Sequence, residues 1–251
     1  MSPVQALLLA GAGVVAGAVN TVAGAGSLLT FPALLAAGLS PLSANVSNCI
    51  GLVPGSASGA YGLRSELHGE GPRLVRLSLW AAAGSAVGAV LLLTLPSGAF
   101  DAVVPVLVGA AGLLVLAQPF VVRAVGREED GPPSRATGPA MGGVAVYSGY
   151  FGAAQGVMLI GVLGVLAPQP LRRVNAVKNV VALTANGVAG AVYAVVAPVN
   201  WRAVLALAVG SLLGGPLGAL LAKRVAPGPL RIGIALVALV VSVQLAVRAW
   251  G

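Results

Sequence analysis

The sequence predicts an all-α polytopic membrane protein built from two inverted repeats of five helical elements each. Of its 251 residues, 58% are hydrophobic and only 8% are charged, whereas about 25% of the residues in a soluble domain are charged. The apolar runs are continuous and do not alternate with polar residues, which indicates helices and not strands. Uncharged windows such as 79–99 and 203–222 are long enough to cross a hydrocarbon core of about 30 Å.

The apolar runs divide the chain into a first membrane repeat at 1–122, a cytoplasmic linker at 123–138 and a second repeat at 139–251. The predicted segments of the first repeat lie at about 4–20, 27–38, 41–63, 74–95 and 101–122. Those of the second repeat lie at about 139–153, 156–167, 172–196, 203–222 and 229–248. In each repeat the first two segments are short and the last three are long enough to span a bilayer. We therefore expect at least six full spans, with each short pair forming broken elements: two thin crossings or one re-entrant hairpin.

The two halves align with each other in sequence. An offset of 131 places Asn48 on Asn179 and Gly59 on Gly190. The strongly basic loop follows the third segment in the first half but the fourth segment in the second half, which is the pattern of two repeats with opposite orientations. The cytoplasmic side then holds the basic residues at 64, 73, 76, 123, 127, 135, 172, 173, 223, 224 and 231, against Arg202 and Arg248 outside. This orientation predicts a protein of the bacterial or archaeal-type cell (inner) membrane with both termini extracytoplasmic.

Polar, helix-breaking residues precede the second segment of each repeat, as "NTVAGAGS" at 20–27 and "GYFGAAQG" at 149–156. Backbone that leaves the helical conformation at membrane depth is buried in protein or lines a water-filled cavity. In transporters with inverted repeats such breaks mark the substrate site. We expect free backbone amides at the start of the following short helices, which would attract an anion. The alternative is that the glycines only permit close helix packing.

Amide side chains form a second polar feature, on the third segment of each repeat. Asn45 and Asn48 share one helix face in the first repeat, and Asn175, Lys178 and Asn179 share one in the second. Such clusters at equivalent places of two repeats would meet near the pseudo-symmetry axis. The alternative is that the asparagines form hydrogen bonds between helices, worth about 0.6 to 2 kcal/mol each.

Lys178 is the most informative of these residues because it lies inside a membrane segment. The acidic residues stand in loops or at helix ends, at positions 66, 70, 101, 128, 129 and 130. An intramembrane lysine without a carboxylate either binds an anionic ligand or extends to the cytoplasmic surface. An anionic substrate is therefore expected. The predicted substrate-binding residues are Asn20, Gly24, Gly26, Ser27, Asn45, Asn48, Gln155, Asn175, Lys178 and Asn179.

Catalysis is not expected, because the sequence shows no serine–histidine, paired-carboxylate or metal-ligand constellation. The single cysteine, Cys49, excludes a multi-cysteine metal site, and we expect no cofactor and no metal. The basic residues are scattered between apolar runs, which argues against a nucleic-acid partner. The expected partners are a small anion and the lipid bilayer, with homo-oligomer formation left open.

The stretch from 17 to 64 resembles the signature of the sulfite exporter TauE/SafE family of transmembrane permeases. The matching positions are Gly17, Asn20, Ala23, Gly24, Gly26, Pro32, Leu34, Ala44 and Asn48. A weaker copy in the second half has Gly149, Gly152, Gly156, Asn175 and Asn179. The second copy has Gln155 where the first has Gly24, which predicts that the two repeats contribute unequally to the site.

The resemblance implies export of sulfite, of organosulfonates such as sulfoacetate, or of other small sulfur-containing anions. The leading hypothesis is thus a secondary transporter or exporter whose site lies between the broken elements of the two repeats. One alternative is an anion channel or facilitator. Another is a non-transporting membrane subunit that docks an enzyme of sulfur metabolism through the linker at 123–138.

Overall fold

The computed structural model describes residues 1–125, 133–221 and 227–250. These parts of the chain form eleven α-helices and one short 3-10 helix at Arg64–Leu67, and they contain no strand. The helices are α1 Pro3–Val22, α2 Ser27–Ala36, α3 Pro41–Gly51, α4 Val53–Gly62, α5 Gly71–Thr94, α6 Ser97–Val125, α7 Thr137–Tyr150, α8 Gln155–Leu166, α9 Leu171–Val196, α10 Trp201–Leu221 and α11 Pro227–Trp250. The predicted all-α fold is confirmed. The middle of the predicted linker and the basic pair Lys223 and Arg224 lie outside the described residues.

Six helices in the described parts are long and apolar enough to cross a membrane: Pro3–Thr21, Gly71–Thr94, Gly98–Arg123, Leu171–Val196, Trp201–Gly218 and Arg231–Trp250. The protein is therefore a multi-pass membrane protein. The set differs from the prediction at two places, both in the first half. Helix α1 runs for 20 residues and reaches span length, although it was predicted to be short.

The predicted third segment of the first half, 41–63, is not one helix, because it breaks at Leu52 between α3 and α4. The physical reason is Pro54, which has no amide hydrogen to continue the α3 ladder and whose ring disfavours a helical residue before it. Its counterpart in the second half, α9, has no proline between its ends and continues for 26 residues.

The helices of the two halves interlock. The most extensive pairings are α1 with α10, α5 with α7 and α6 with α11, and each joins the first half to the second. If each helix is replaced by its counterpart in the other half, the α1–α10 pairing becomes the α7–α5 pairing. In the same way, the contact of α6 with α8 becomes that of α11 with α2. This exchange relation supports two repeats. Their opposite orientation in the membrane and their exact boundaries stay predictions.

Small residues let these helix pairs approach closely. A Cβ added at Gly17 of α1 would overlap the Ser211 backbone of α10, and one added at Gly88 of α5 would overlap the Val146 carbonyl of α7. Because lipid tails are as apolar as the side chains, close backbone packing of this kind is a main source of helix association in membranes. The interlocked pairs hold the two polar turns in the interior of the helix bundle.

Candidate functional site

The two polar turns share a glycine with a positive φ, although their backbones differ at the residue before each short helix, where Gly26 is right-handed and Ala154 has a φ of 56°. Gly24 and Gly152 both adopt a positive φ, of 72° and 74°, and each stands three residues before the first residue of a short helix, Ser27 of α2 or Gln155 of α8. A positive φ is readily adopted only by glycine. The turns therefore correspond at an offset of 128 and not 131. On this alignment Gln155 is the counterpart of Ser27, so that each short helix begins with a polar side chain.

The turns cross in direct contact. The Gly156 amide donates to the Gly24 carbonyl at 3.1 Å, and a Cβ added at either glycine would overlap the backbone of the other. The amides of Gln155 and Val157 also donate to backbone carbonyls. The expectation of free amides at the start of α8 is therefore wrong for this structure, and the crossing point itself leaves no room for an anion.

Ser27 and Gly26 complete this contact. The Ser27 hydroxyl accepts from the Ala154 amide at 3.3 Å and lies 3.5 Å from the Gly152 carbonyl, to which it donates. Gly26 packs so closely against α1 that an added Cβ would overlap the Ala16 carbonyl. For Gly24 and Gly26, the alternative that glycines permit close packing thus describes what the structure shows.

Polar side chains of each half cap a helix of the other half. The Lys178 ammonium donates to the carbonyls of Asn20 and Thr21, at 2.9 and 3.1 Å, at the C-terminal end of α1. The Asn45 amide donates to the Tyr150 carbonyl at 2.9 Å, at the C-terminal end of α7. The last carbonyls of a helix lack partners in their own helix and carry partial negative charge. Asn45 supplies a donor to Tyr150 and Lys178 supplies one to Thr21 across the boundary between the halves, while the Asn20 carbonyl also accepts from the Gly24 amide at 3.1 Å.

Lys178 is 1% exposed, so the prediction that it could extend to the membrane surface is wrong. No carboxylate pairs with it in the described parts of the chain, where the ion pair found joins Arg73 to Glu70. Its charge is therefore offset only by carbonyl dipoles. In its charged form Lys178 would give the interior a positive site that no carboxylate of the described residues balances.

Three asparagines form a polar stripe along α9. Asn175, Asn179 and Asn186 are spaced by four and seven residues, which places them on one face of the helix over about 16 Å. We call them the α9 stripe. Asn186 was missed in the sequence, although its spacing of seven from Asn179 was a usable signal. Its side-chain oxygen accepts from the side-chain amide of Gln155 at 2.9 Å, which connects the α9 stripe to the second turn.

Several polar atoms along this face are buried without a hydrogen-bond partner. They are Asn175 Oδ1, Asn179 Nδ2 and Gln155 Oε1; Ser56 Oγ of α4, a helix that packs on α9, is likewise buried without a partner. Asn179 Nδ2 lies beside α4, where a Cβ added at Gly59 would come within 3.3 Å of it. Because buried polar groups in proteins are nearly always paired, such atoms mark places where a ligand or water binds. The α9 stripe, together with Lys178, Gln155 and Ser56, is the candidate binding region.

The remaining predicted residue, Asn48, forms a side-chain hydrogen bond within the first half. Its side-chain oxygen accepts from the Thr30 hydroxyl at 2.5 Å, which joins α3 to α2. The predicted residues therefore separate into three groups. Gly24, Gly26, Ser27 and Gln155 form the crossing of the turns; Asn20, Asn175, Lys178 and Asn179 lie along α9 and the end of α1; and Asn45 and Asn48 tie α3 to its neighbours.

Replacing Thr30 by valine tests whether Asn48 has this structural role. The substitution keeps the side-chain shape and leaves the buried Asn48 oxygen without its donor, so we expect the free energy of unfolding to fall by about 1 to 3 kcal/mol. Thr94→Val is the matched control, because the exposed Thr94 hydroxyl donates only to carbonyls of its own helix. Thermal unfolding followed by circular dichroism in one detergent compares the two variants, and equal effects would contradict the assignment.

Comparison with known proteins places this architecture among transporters. The profile of the family described as "Sulfite exporter TauE/SafE" matches residues 9–245. A "Probable membrane transporter protein YfcA" of Escherichia coli is 28% identical over 250 residues, which cover 98% of this chain and 91% of that protein. A "Probable membrane transporter protein" of Haemophilus influenzae is 28% identical over 82% of this chain and 81% of its own length. A "Probable membrane transporter protein ORF9" of a Sinorhizobium species is 27% identical over 93% and 88%. No solved structure matches significantly.

Proposed function

Because the chain belongs to the sulfite exporter TauE/SafE family, we propose that it exports a small sulfur-containing anion, sulfite or an organosulfonate, across the inner membrane as a secondary transporter. The family and the names of the relatives support the coarser statement that the protein is a membrane transporter and not an enzyme. The nature of the substrate and the direction of transport are our proposal.

The observation that carries the proposal is Lys178, a buried cation with no carboxylate partner in the described parts of the chain. The side-chain amide of its neighbour Asn179 is a buried donor that has no acceptor. Sulfite and sulfonate oxygens accept hydrogen bonds and carry negative charge, so they complement both groups. A metal cation or an organic cation would be repelled by the same ammonium.

The membrane potential supports export without a coupling ion. An elementary charge that crosses a potential of 100 mV gains or loses about 2.3 kcal/mol. Since the cytoplasm is electrically negative, outward movement of an anion releases this free energy and needs no coupling ion. The predicted absence of an acidic residue inside the membrane segments fits such a mechanism, because a proton-coupled carrier normally uses Asp, Glu or His side chains there as a proton relay.

Efflux from proteoliposomes tests the proposal. Vesicles containing the purified chain are loaded with radiolabelled sulfite, and a potassium diffusion potential is set with valinomycin. We expect efflux well above that of protein-free vesicles and an increase when the interior is made negative. Unlabelled sulfoacetate, sulfate and chloride, added in separate assays, rank the substrates by competition. Sulfite efflux equal to that of protein-free vesicles would contradict the proposal.

The α9 stripe also fits the second candidate, an anion channel, because a polar face of about 16 Å crosses roughly half of the hydrocarbon core. Single-channel recording in planar bilayers separates the two functions. A channel gives resolved current steps from millions of ions per second. A transporter with alternating access gives flux in vesicles without such steps.

A further inference from the structure

Glu70 joins the two halves of the protein at one end of the bundle. Its carboxylate accepts from Arg73 Nη1 at 3.1 Å within the first half, and from Gln169 Nε2 of the second half at 3.0 Å. The side chains of Arg73 and Glu70 are only 13% and 12% exposed. We call these three residues the latch. It connects the start of α5 to the loop that precedes α9.

The latch leaves part of Arg73 without a partner. Nη1 binds Glu70, whereas Nε and Nη2 are buried and have no acceptor. The Nε–H and Nη2–H bonds point to the same side of the planar guanidinium, and this pair binds two oxygens of a carboxylate, phosphate or sulfur oxyanion in parallel. Burying charged donors without an acceptor is unfavourable. A ligand with two acceptor oxygens would satisfy both donors at once.

The position of the latch relates it to the α9 stripe. Gln169 stands two residues before α9, and Asn175, the first member of the stripe, lies in the second turn of that helix. Asn175 Oδ1 and Gln169 Oε1 are also buried without a donor. Arg73 lies in the first turn of α5, where the helix dipole favours an anion and disfavours a cation. The partnerless donors of Arg73 therefore lie at the end of the bundle where the stripe begins.

We propose that Nε and Nη2 of Arg73 form a second oxyanion site, at the start of the α9 stripe, and that the Glu70 carboxylate, bound at Nη1, weakens anion binding there by charge repulsion. The proposal rests on the proposed function only for the identity of the anion as a sulfur oxyanion. A phospholipid headgroup offers the same chemistry as a free anion. The free anion fits better because the Arg73 side chain is only 13% exposed, which leaves little access for a lipid headgroup.

Equilibrium binding of radiolabelled sulfite to the purified full-length chain in detergent tests this site. Arg73→Gln and Arg73→Lys should each weaken binding at this site about tenfold or more, since neither side chain presents two parallel donors. Glu70→Gln should strengthen it about fivefold, because it removes a negative charge that contacts the same guanidinium. Arg76→Gln is the matched control: it removes one positive charge one turn further along α5, from an exposed residue, and should leave binding unchanged.

A purely structural role for Arg73 gives the opposite pattern. Lysine would then restore binding, and Glu70→Gln would weaken it by loosening the latch. Arg73→Lys and Glu70→Gln also keep the proposal falsifiable if Arg73→Gln does not fold. If phosphatidylglycerol in nanodiscs occupies the Arg73 site while free sulfite and phosphate do not, the free-anion assignment is overturned.

The same assay separates this site from the one at Lys178. In a Lys178→Met background we expect one bound anion per chain to remain, and we expect Arg73→Gln to remove it. If Arg73→Gln changes binding in neither background, the second site is refuted and the Lys178 proposal is untouched. If Lys178→Met leaves vesicle transport unaltered, the binding role of Lys178 is refuted but export itself is not. If the unsubstituted chain gives no sulfite efflux, the proposed function fails, while anion binding at Arg73 remains measurable because this assay reads binding and not flux.

Discussion

Replacing Lys178 by methionine is expected to lower sulfite efflux from proteoliposomes at least about thirtyfold, because truncating one partner of a buried charged interaction costs 2 to 5 kcal/mol. Methionine is unbranched and flexible like lysine, although one atom shorter, and it lacks the charge and the three donors. The loss should appear in the transport rate under saturating sulfite as well as in the affinity. The measurement is the initial rate of efflux at several sulfite concentrations.

Two further variants separate the charge of Lys178 from its role as a helix cap. The ammonium donates to Asn20 and Thr21 at the end of α1, so Lys178→Met removes both functions. Glutamine keeps an uncharged donor for these carbonyls, and we expect a folded chain without transport. Arginine keeps the charge, and we expect partial transport. Lys223→Met is the control, as the other lysine of the sequence. Full transport by Lys178→Gln would show that the lysine only caps α1.

The helices could be predicted well because their signal is local. Uncharged runs bounded by glycine, proline or arginine determine where a chain enters and leaves the membrane, and the predicted segments fall on α1, α2 and α5 to α11 within a few residues. The break at Leu52 was missed although Pro54 is visible in the sequence. A proline within a long apolar run is compatible with both a kinked span and two helices, and neighbouring helices decide between them.

The site was predicted less completely because its contacts are not local. Spacing places Lys178 on the same face as Asn175 and Asn179, but it does not show that the end of α1, more than 150 residues earlier, supplies two carbonyls. Asn45 and the end of α7 raise the same difficulty. Only the packing of one half against the other defines these pairs. Residue type predicted that these buried groups are polar, and the tertiary structure decided which of them hold the fold; their binding of an anion stays a prediction.

The crossing of the two turns should be the least tolerant point of the structure. In Gly156→Ala the new methyl group would overlap the Gly24 backbone, which cannot move aside as a flexible side chain does. We expect the free energy of unfolding to fall by about 3 kcal/mol or more, at the upper end of the range for overpacked cores. Little monodisperse protein should be recovered by size-exclusion chromatography, and thermal unfolding of that fraction should occur at a markedly lower temperature.

Gly187→Ala is the matched control for this prediction. Gly187 also lies inside a helix, α9, but an added Cβ meets nothing within 4 Å. Alanine there should stabilise the helix by about 0.5 to 1 kcal/mol through its higher helix propensity. The contrast isolates the backbone contact from the general effect of replacing a helical glycine. If Gly156→Ala folds and unfolds like Gly187→Ala, the turns do not meet at Gly24 and Gly156, and the space between them would again be available to an anion.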